Sequence, residues 1–147
     1  MAQTHSEADN ELNANAWEAV RSRNAGTDAY RAALRRAEAA VRLVPGNGNY
    51  LNTLGVAQYR VGEYAKARET LEQSEKLNAT KDGSSPGDLA FLAMAHQQLG
   101  HKEQAQATLA RLRDVMKRTR WAGDPEAQGF LHEAEELIDG KPADKKP

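Results

Sequence analysis

Apolar residues recur every three or four positions along most of this chain, and short polar or Gly/Pro-bearing breaks interrupt them. The breaks fall at Gly26-Thr27, Pro45-Gly46-Asn47-Gly48, Gly62, Lys81 to Pro86, Gly100, Ala122 to Pro125, and Gly140. That spacing predicts seven helices, over about 10–23, 28–43, 49–61, 64–78, 87–99, 102–118 and 125–139. Ser85-Pro86 and Asp124-Pro125 read as N-caps followed by Pro at the first helical position. The polar stretches 1–8 and 141–147 ("KPADKKP") are expected to be flexible tails, leaving 9–140 as a single domain.

Two stretches match each other. Residues 51–71, "LNTLGVAQYRVGEYAKARETL", lie over residues 89–109, "LAFLAMAHQQLGHKEQAQATL". The matches are Leu51/Leu89, Leu54/Leu92, Gly55/Ala93, Ala57/Ala95, Gly62/Gly100, Ala67/Ala105, Thr70/Thr108 and Leu71/Leu109. Small residues fall on small ones, Leu on Leu and Gly on Gly. This pattern resembles the tetratricopeptide repeat (TPR), whose period of about 34 residues is stretched here by the loop "NATKDGSSPG".

The resemblance implies an all-α, right-handed solenoid of about three helix pairs, at about 10–46, 47–80 and 86–119. Within a pair the backbones approach closely where side chains are small. Gly55 and Ala67 are expected to face each other there, with Leu51, Leu54, Tyr64 and Leu71 filling the surrounding grooves. Gly62 permits the sharp turn. A more degenerate first pair matches Tyr30 to Tyr64 and Ala33 to Ala67, and Pro45 stops its second helix. Its first helix fits best with Leu12-Asn13 over Leu51-Asn52, Ala16 over Gly55 and Arg21 over Arg60, which puts Ala rather than Arg at the crossing. The segment 125–139 carries an apolar stripe at 127, 130, 131, 134, 137 and 138. It is expected to cap the array on the helix bearing Leu109, Leu112 and Met116.

The run from Leu12 to Gly140, with "YRAALRRAEAAVRLVPGNGNYLNTLGVAQYRVGEYAKA", "FLAMAHQQLGHKEQA" and "WAGDPEAQGFLHEAEELI", is also similar to TPR modules at the C-terminal ends of planctomycete-type bacterial serine/threonine kinases and WD-repeat proteins. In such proteins the module is an accessory to the kinase. This chain carries no Gly-rich phosphate loop, no V-A-I-K, no H-R-D and no D-F-G.

Composition narrows the function. Ala, Glu, Arg, Leu and Gln favour helix. A net charge of −1 argues against bulk nucleic-acid binding or a polybasic membrane surface. With no Cys there is neither disulfide, thiolate metal site nor thiol nucleophile, and a reducing, cytoplasmic setting fits. No apolar run spans a bilayer, and "MAQTHSEADNEL" has no secretory h-region. His96 and His101 straddle a Gly turn without the spacing of a metal pair, and His132 sits among acids on the last helix. Glu133, Glu135 and Glu136 read as a solvated helix face. Lys102, Arg111, Arg113, Lys117, Arg118 and Arg120 suit the C-terminal ends of helices. Gly46-Asn47-Gly48-Asn49 follows no strand and serves as a turn. No catalytic set, cofactor motif or metal set emerges, so a non-enzymatic chain without cofactors is expected.

In TPR proteins the first helix of each pair lines a groove that receives peptides. The resemblance therefore implies a peptide-binding face of Asn13, Trp17, Val20 and Arg21, then Asn52, Val56, Tyr59 and Arg60, then Ala90, Met94, Gln97 and Gln98. Asn can pair with a peptide amide through donor and acceptor, and Arg can clamp a carboxylate. Trp17, Tyr59 and Met94 offer apolar anchors. The Lys/Asn carboxylate clamp of chaperone-binding TPRs is absent: its positions hold Asn13, Trp17, Thr53, Gly87 and Phe91. The expected function is a protein-interaction module that takes a peptide in this groove, as a monomer or weak homodimer. The alternative is a regulatory or dimerising appendage of a kinase, acting through its convex or cap surface.

Overall fold

The computed structural model describes residues 2–79 and 85–140, apart from the side chains of 2–7 and 119. The described chain is all-α. Its helices are α1 (Ala2–Val20), α2 (Thr27–Leu43), α3 (Gly48–Arg60), α4 (Tyr64–Asn78), α5 (Pro86–Gln98), α6 (Lys102–Val115), α7 (Thr119–Ala122) and α8 (Pro125–Asp139). Six of the seven expected helices lie within a few residues of their predicted bounds. The first begins at Ala2 instead of near residue 10, so residues 2–8, expected as a tail, continue α1. The short α7 was not anticipated, because four residues carry no readable period. The tail expected at 141–147 lies outside the described residues.

Each of α1/α2, α3/α4 and α5/α6 forms a closely packed antiparallel pair, and α2 and α4 pack on the helix that follows them. The second and third pairs turn in the same way. Gly62 and Gly100 take φ of 90° and 83°, a left-handed conformation that side chains resist. Glu63 N–H then donates to Gln58 C=O at 2.8 Å, and His101 N–H to His96 C=O at 2.9 Å. The Gly N–H groups bond to Tyr59 and Gln97 carbonyls at 3.0 and 3.1 Å. These paired bonds are a Schellman closure, which satisfies the last carbonyls of the leading helix. The repeat seen in the sequence is therefore a repeat of backbone geometry.

The close approach within α3/α4 falls slightly away from its expected place. A Cβ on Gly55 would lie 2.5 Å from Leu71 Cγ, so Leu71, rather than Ala67, occupies the space the glycine leaves. Ala67 is fully buried nearby in the same core. In the first pair Ala16 is fully buried while Arg21 is exposed.

The connection between the second and third pairs is polar. Asp88, wholly buried in the first turn of α5, accepts from Asn52 Nδ2 at 2.7 Å, Ser74 Oγ at 2.6 Å and Asn78 Nδ2 at 3.1 Å. Burial pushes its carboxyl up, against the three donors that pull it down. Three helices thus converge on one carboxylate.

Gly55→Leu should lower stability by about 1–3 kcal/mol through overpacking against Leu71, read by urea unfolding; unchanged stability would contradict the close approach. Asp88→Ala should lower it by about 1–3 kcal/mol, because the buried Ser74 hydroxyl and the partly buried Asn52 amide lose their acceptor.

Candidate functional site

The first helices of the three pairs, α1, α3 and α5, are neighbours: α3 packs on both α1 and α5. Of the candidate groove residues, several lie in the common core. Val20, Val56, Tyr59 and Met94 belong to one buried cluster, with Trp17 packed against it and Ala90 fully buried in it. Buried in the core, they are not open to a ligand.

The expectation that α8 caps α6 needs correction. The helix packs chiefly on α5 and less closely on α6, and single side chains of it meet Trp17 of α1 and Arg60 of α3. Its apolar stripe explains why. Phe130 is seated edge-on between Trp17 of α1 and Phe91 of α5, with ring centroids 5.9 and 5.3 Å apart. Phe91 in turn meets Tyr59 of α3 edge-on at 5.6 Å. Edge-to-face pairing sets the positive ring edge of one residue against the negative face of another. A chain of aromatic contacts therefore runs from α1 through α8 to α5 and α3.

One charged pair sits beside that aromatic chain. Arg60 Nη1 and Nη2 donate to the two carboxylate oxygens of Glu133 at 2.5 and 3.1 Å. Arg60 Nε donates to the Val20 carbonyl at 2.8 Å. The two side chains are only 6% and 9% exposed, so both charges are taken out of water and depend on each other. The guanidinium also lies 4.9 Å from the Phe91 ring centroid and 5.7 Å from that of Tyr30. Further pairs ring this centre: Arg23 with Glu136 at 2.7 Å, Arg21 with Glu126 at 3.3 Å, and Arg113 with Glu135 and Asp139 at 2.9 and 2.7 Å.

These contacts correct two readings of the sequence. Glu133, Glu135 and Glu136 do not form a solvated face: Glu133 is buried and all three make ion pairs. The repeated Asn and Arg positions are not equivalent either. Arg60 is buried and bidentate, whereas Arg21 is half-exposed and pairs with Glu18 and Glu126. Asn52 is committed to Asp88, while the buried Asn13 Oδ1 has no hydrogen-bond partner among the described residues. Gln97 is half-buried. The exposed Gln98 donates to the Tyr59 hydroxyl at 3.3 Å, and burial pushes that phenol up to about 12. Within the basic set, Arg111 pairs with Glu75, and Arg120 lies 4.8 Å over the Trp121 ring.

Sequence reasoning missed Glu133, Asp88, Phe130 and Trp121 as participants. Glu133 had one signal: it lies three residues after Phe130 and four before Leu137, on the apolar stripe itself. An acid in that position needs a cation beneath it. The histidines are closer than their spacing suggested, with His96 and His101 Nδ1 atoms 3.3 Å apart. Burial pushes His96 down, with Glu72 opposing and the His101 and Arg68 charges reinforcing.

Among the described residues no group of three or more His, Asp or Glu could hold a metal ion, and no helix is long and apolar enough to cross a membrane.

Arg60→Ala and Glu133→Ala should each destabilise the fold by about 3–5 kcal/mol, since each strands a buried charge. The double substitution R60M/E133L, which replaces both charges with apolar side chains, should cost less than either single change, as chemical denaturation would reveal. For His96, the unfolded chain takes up a proton near pH 6.5 that the folded chain resists. Stability should therefore fall as pH drops below about 6.5 and level off below the folded-state value. His96→Gln should flatten that part of the profile, measured as the difference from wild type.

No protein-family model matches the chain, and no curated protein matches it.

Proposed function

We propose that this chain is a non-enzymatic interaction module of the tetratricopeptide kind, a right-handed solenoid of three helix pairs whose concave face receives a helical segment of a protein partner. The observation that carries this reading is the seating of α8. An amphipathic helix already packs on α5 and contacts α1 and α3 through an aromatic anchor, Phe130, and a carboxylate, Glu133, three residues on. Helix-in-groove recognition uses anchors at this spacing. The recurring Schellman turns at Gly62 and Gly100 support the repeat architecture.

The ligand is then an amphipathic acidic helix with the character of α8, rather than an extended peptide. Because the chain supplies such a helix itself, a partner competes with it. The apparent dissociation constant rises in inverse proportion to the fraction of molecules whose face is open. Such a module needs no cofactor and works in the cytoplasm as a monomer or weak homodimer. It has neither nucleic acid nor membrane as a target.

The test uses the full chain and a labelled peptide of residues 124–140. Phe130→Ala with Glu133→Gln weakens the resident helix, and this variant should bind the peptide at least about tenfold more tightly than wild type by fluorescence anisotropy, a difference of about 1.4 kcal/mol. Adding Arg60→Met should remove that binding. A folded variant, verified by circular dichroism, that ignores the peptide or is indifferent to Arg60 would overturn the reading.

A further inference from the structure

With α8 seated, a pocket of about 120 Å³ remains open where α1, the start of α5, α7 and α8 meet. The chain has only two Trp and two Phe, yet Trp17, Trp121 and Phe130 all line this one space. Asp124 and Glu126 line it as well. Glu126 is already paired with Arg21 at 3.3 Å. Asp124 stands at the N-cap position of α8, where its side chain would ordinarily bond a backbone N–H, and it makes no such bond. Its backbone groups hold the α7–α8 turn instead: Asp124 N–H donates to the Trp121 carbonyl, and the Asp124 carbonyl accepts from Gln128 N–H, both at 3.0 Å.

Aromatic faces attract cations through the ring quadrupole, most strongly for indole and in a desolvated site. Trp121 already behaves this way toward Arg120, whose guanidinium lies 4.8 Å over its ring. Aromatic walls and an adjacent carboxylate together favour an organic cation over a neutral apolar group. The size of the space restricts the choice further. Pockets for whole small-molecule ligands run to about 300–1,000 Å³. A space of about 120 Å³ suits the end of one side chain.

We infer that this pocket binds the alkylammonium end of a lysine side chain of a partner protein, with a methylated ammonium preferred over a bare one. Methylation spreads the charge and lowers the desolvation needed to enter between aromatic rings, while leaving the attraction to Asp124 in place. The inference does not rest on the helix-seat reading, because the pocket exists with α8 in position.

The full chain reports on itself, since both of its tryptophans line the pocket. Intrinsic fluorescence would be followed during titration with Nα-acetyl-trimethyllysine amide, Nα-acetyl-lysine amide, tetramethylammonium, and the neutral analogue bearing a tert-butyl group in place of trimethylammonium. The trimethyllysine amide should bind saturably and tightest, with the neutral analogue at least about tenfold weaker. Asp124→Asn and Trp121→Leu should each weaken trimethyllysine binding by about fivefold or more, in proteins whose melting matches wild type within a few degrees. Equal binding of the charged and neutral probes would overturn the inference, as would no saturable response to any lysine derivative. Tightest binding of tetramethylammonium would overturn the assignment to a side chain.

Discussion

The buried pair of Arg60 and Glu133 is the constraint on which the arrangement of this molecule turns. Arg60 ends α3 and binds the last carbonyl of α1, while Glu133 stands in the middle of α8. One guanidinium thus ties together the first pair, the second pair and the C-terminal helix. A charge so deeply placed tolerates little freedom. Its five donors lie in a rigid fork, and the carboxylate that fills two of them must come from a helix in one orientation. Packing of Phe130 against Trp17 and Phe91 provides apolar burial at the same place. Aromatic area supplies attraction, and the ion pair fixes register.

The consequence is that α8 belongs to the same core as the leading helices α1, α3 and α5. Val56 and Met94 would be poor surface residues, and in that core they are fully buried. The polar joint at Asp88 plays a comparable part between the second and third pairs, drawing α3 and α4 onto the start of α5 through three side-chain donors. The core is thus apolar in the body of each pair and charged or hydrogen-bonded at the joints. Directional contacts specify relative placement better there than hydrophobic contact could.

Local features of this fold were legible in the sequence. The turns at Gly62 and Gly100 depend on a left-handed residue and on bonds within a few positions, so matching segments imply matching geometry. The helix bounds followed from periodicity and from Pro at the starts of α5 and α8. What the sequence left hidden was long-range. Nothing local distinguishes Arg21 from Arg60 or Asn13 from Asn52; their fates are set by Glu133 and Asp88, far along the chain. The stripe on α8 announced an amphipathic helix, but a stripe does not name the surface it covers. A buried acid on that stripe was the informative residue, because a charge that cannot reach water must be answered by another.

Amide hydrogen exchange across α8 tests the central claim most directly. If the Arg60–Glu133 pair and the Phe130 seat hold α8 as part of the common core, its amides near Phe130 to Ala134 will be protected comparably to those of α5. Arg60→Met will then lower protection in α8 more than in α4 or α6. Free exchange of α8 in the wild-type chain, or protection unaffected by the loss of Arg60, would contradict the account.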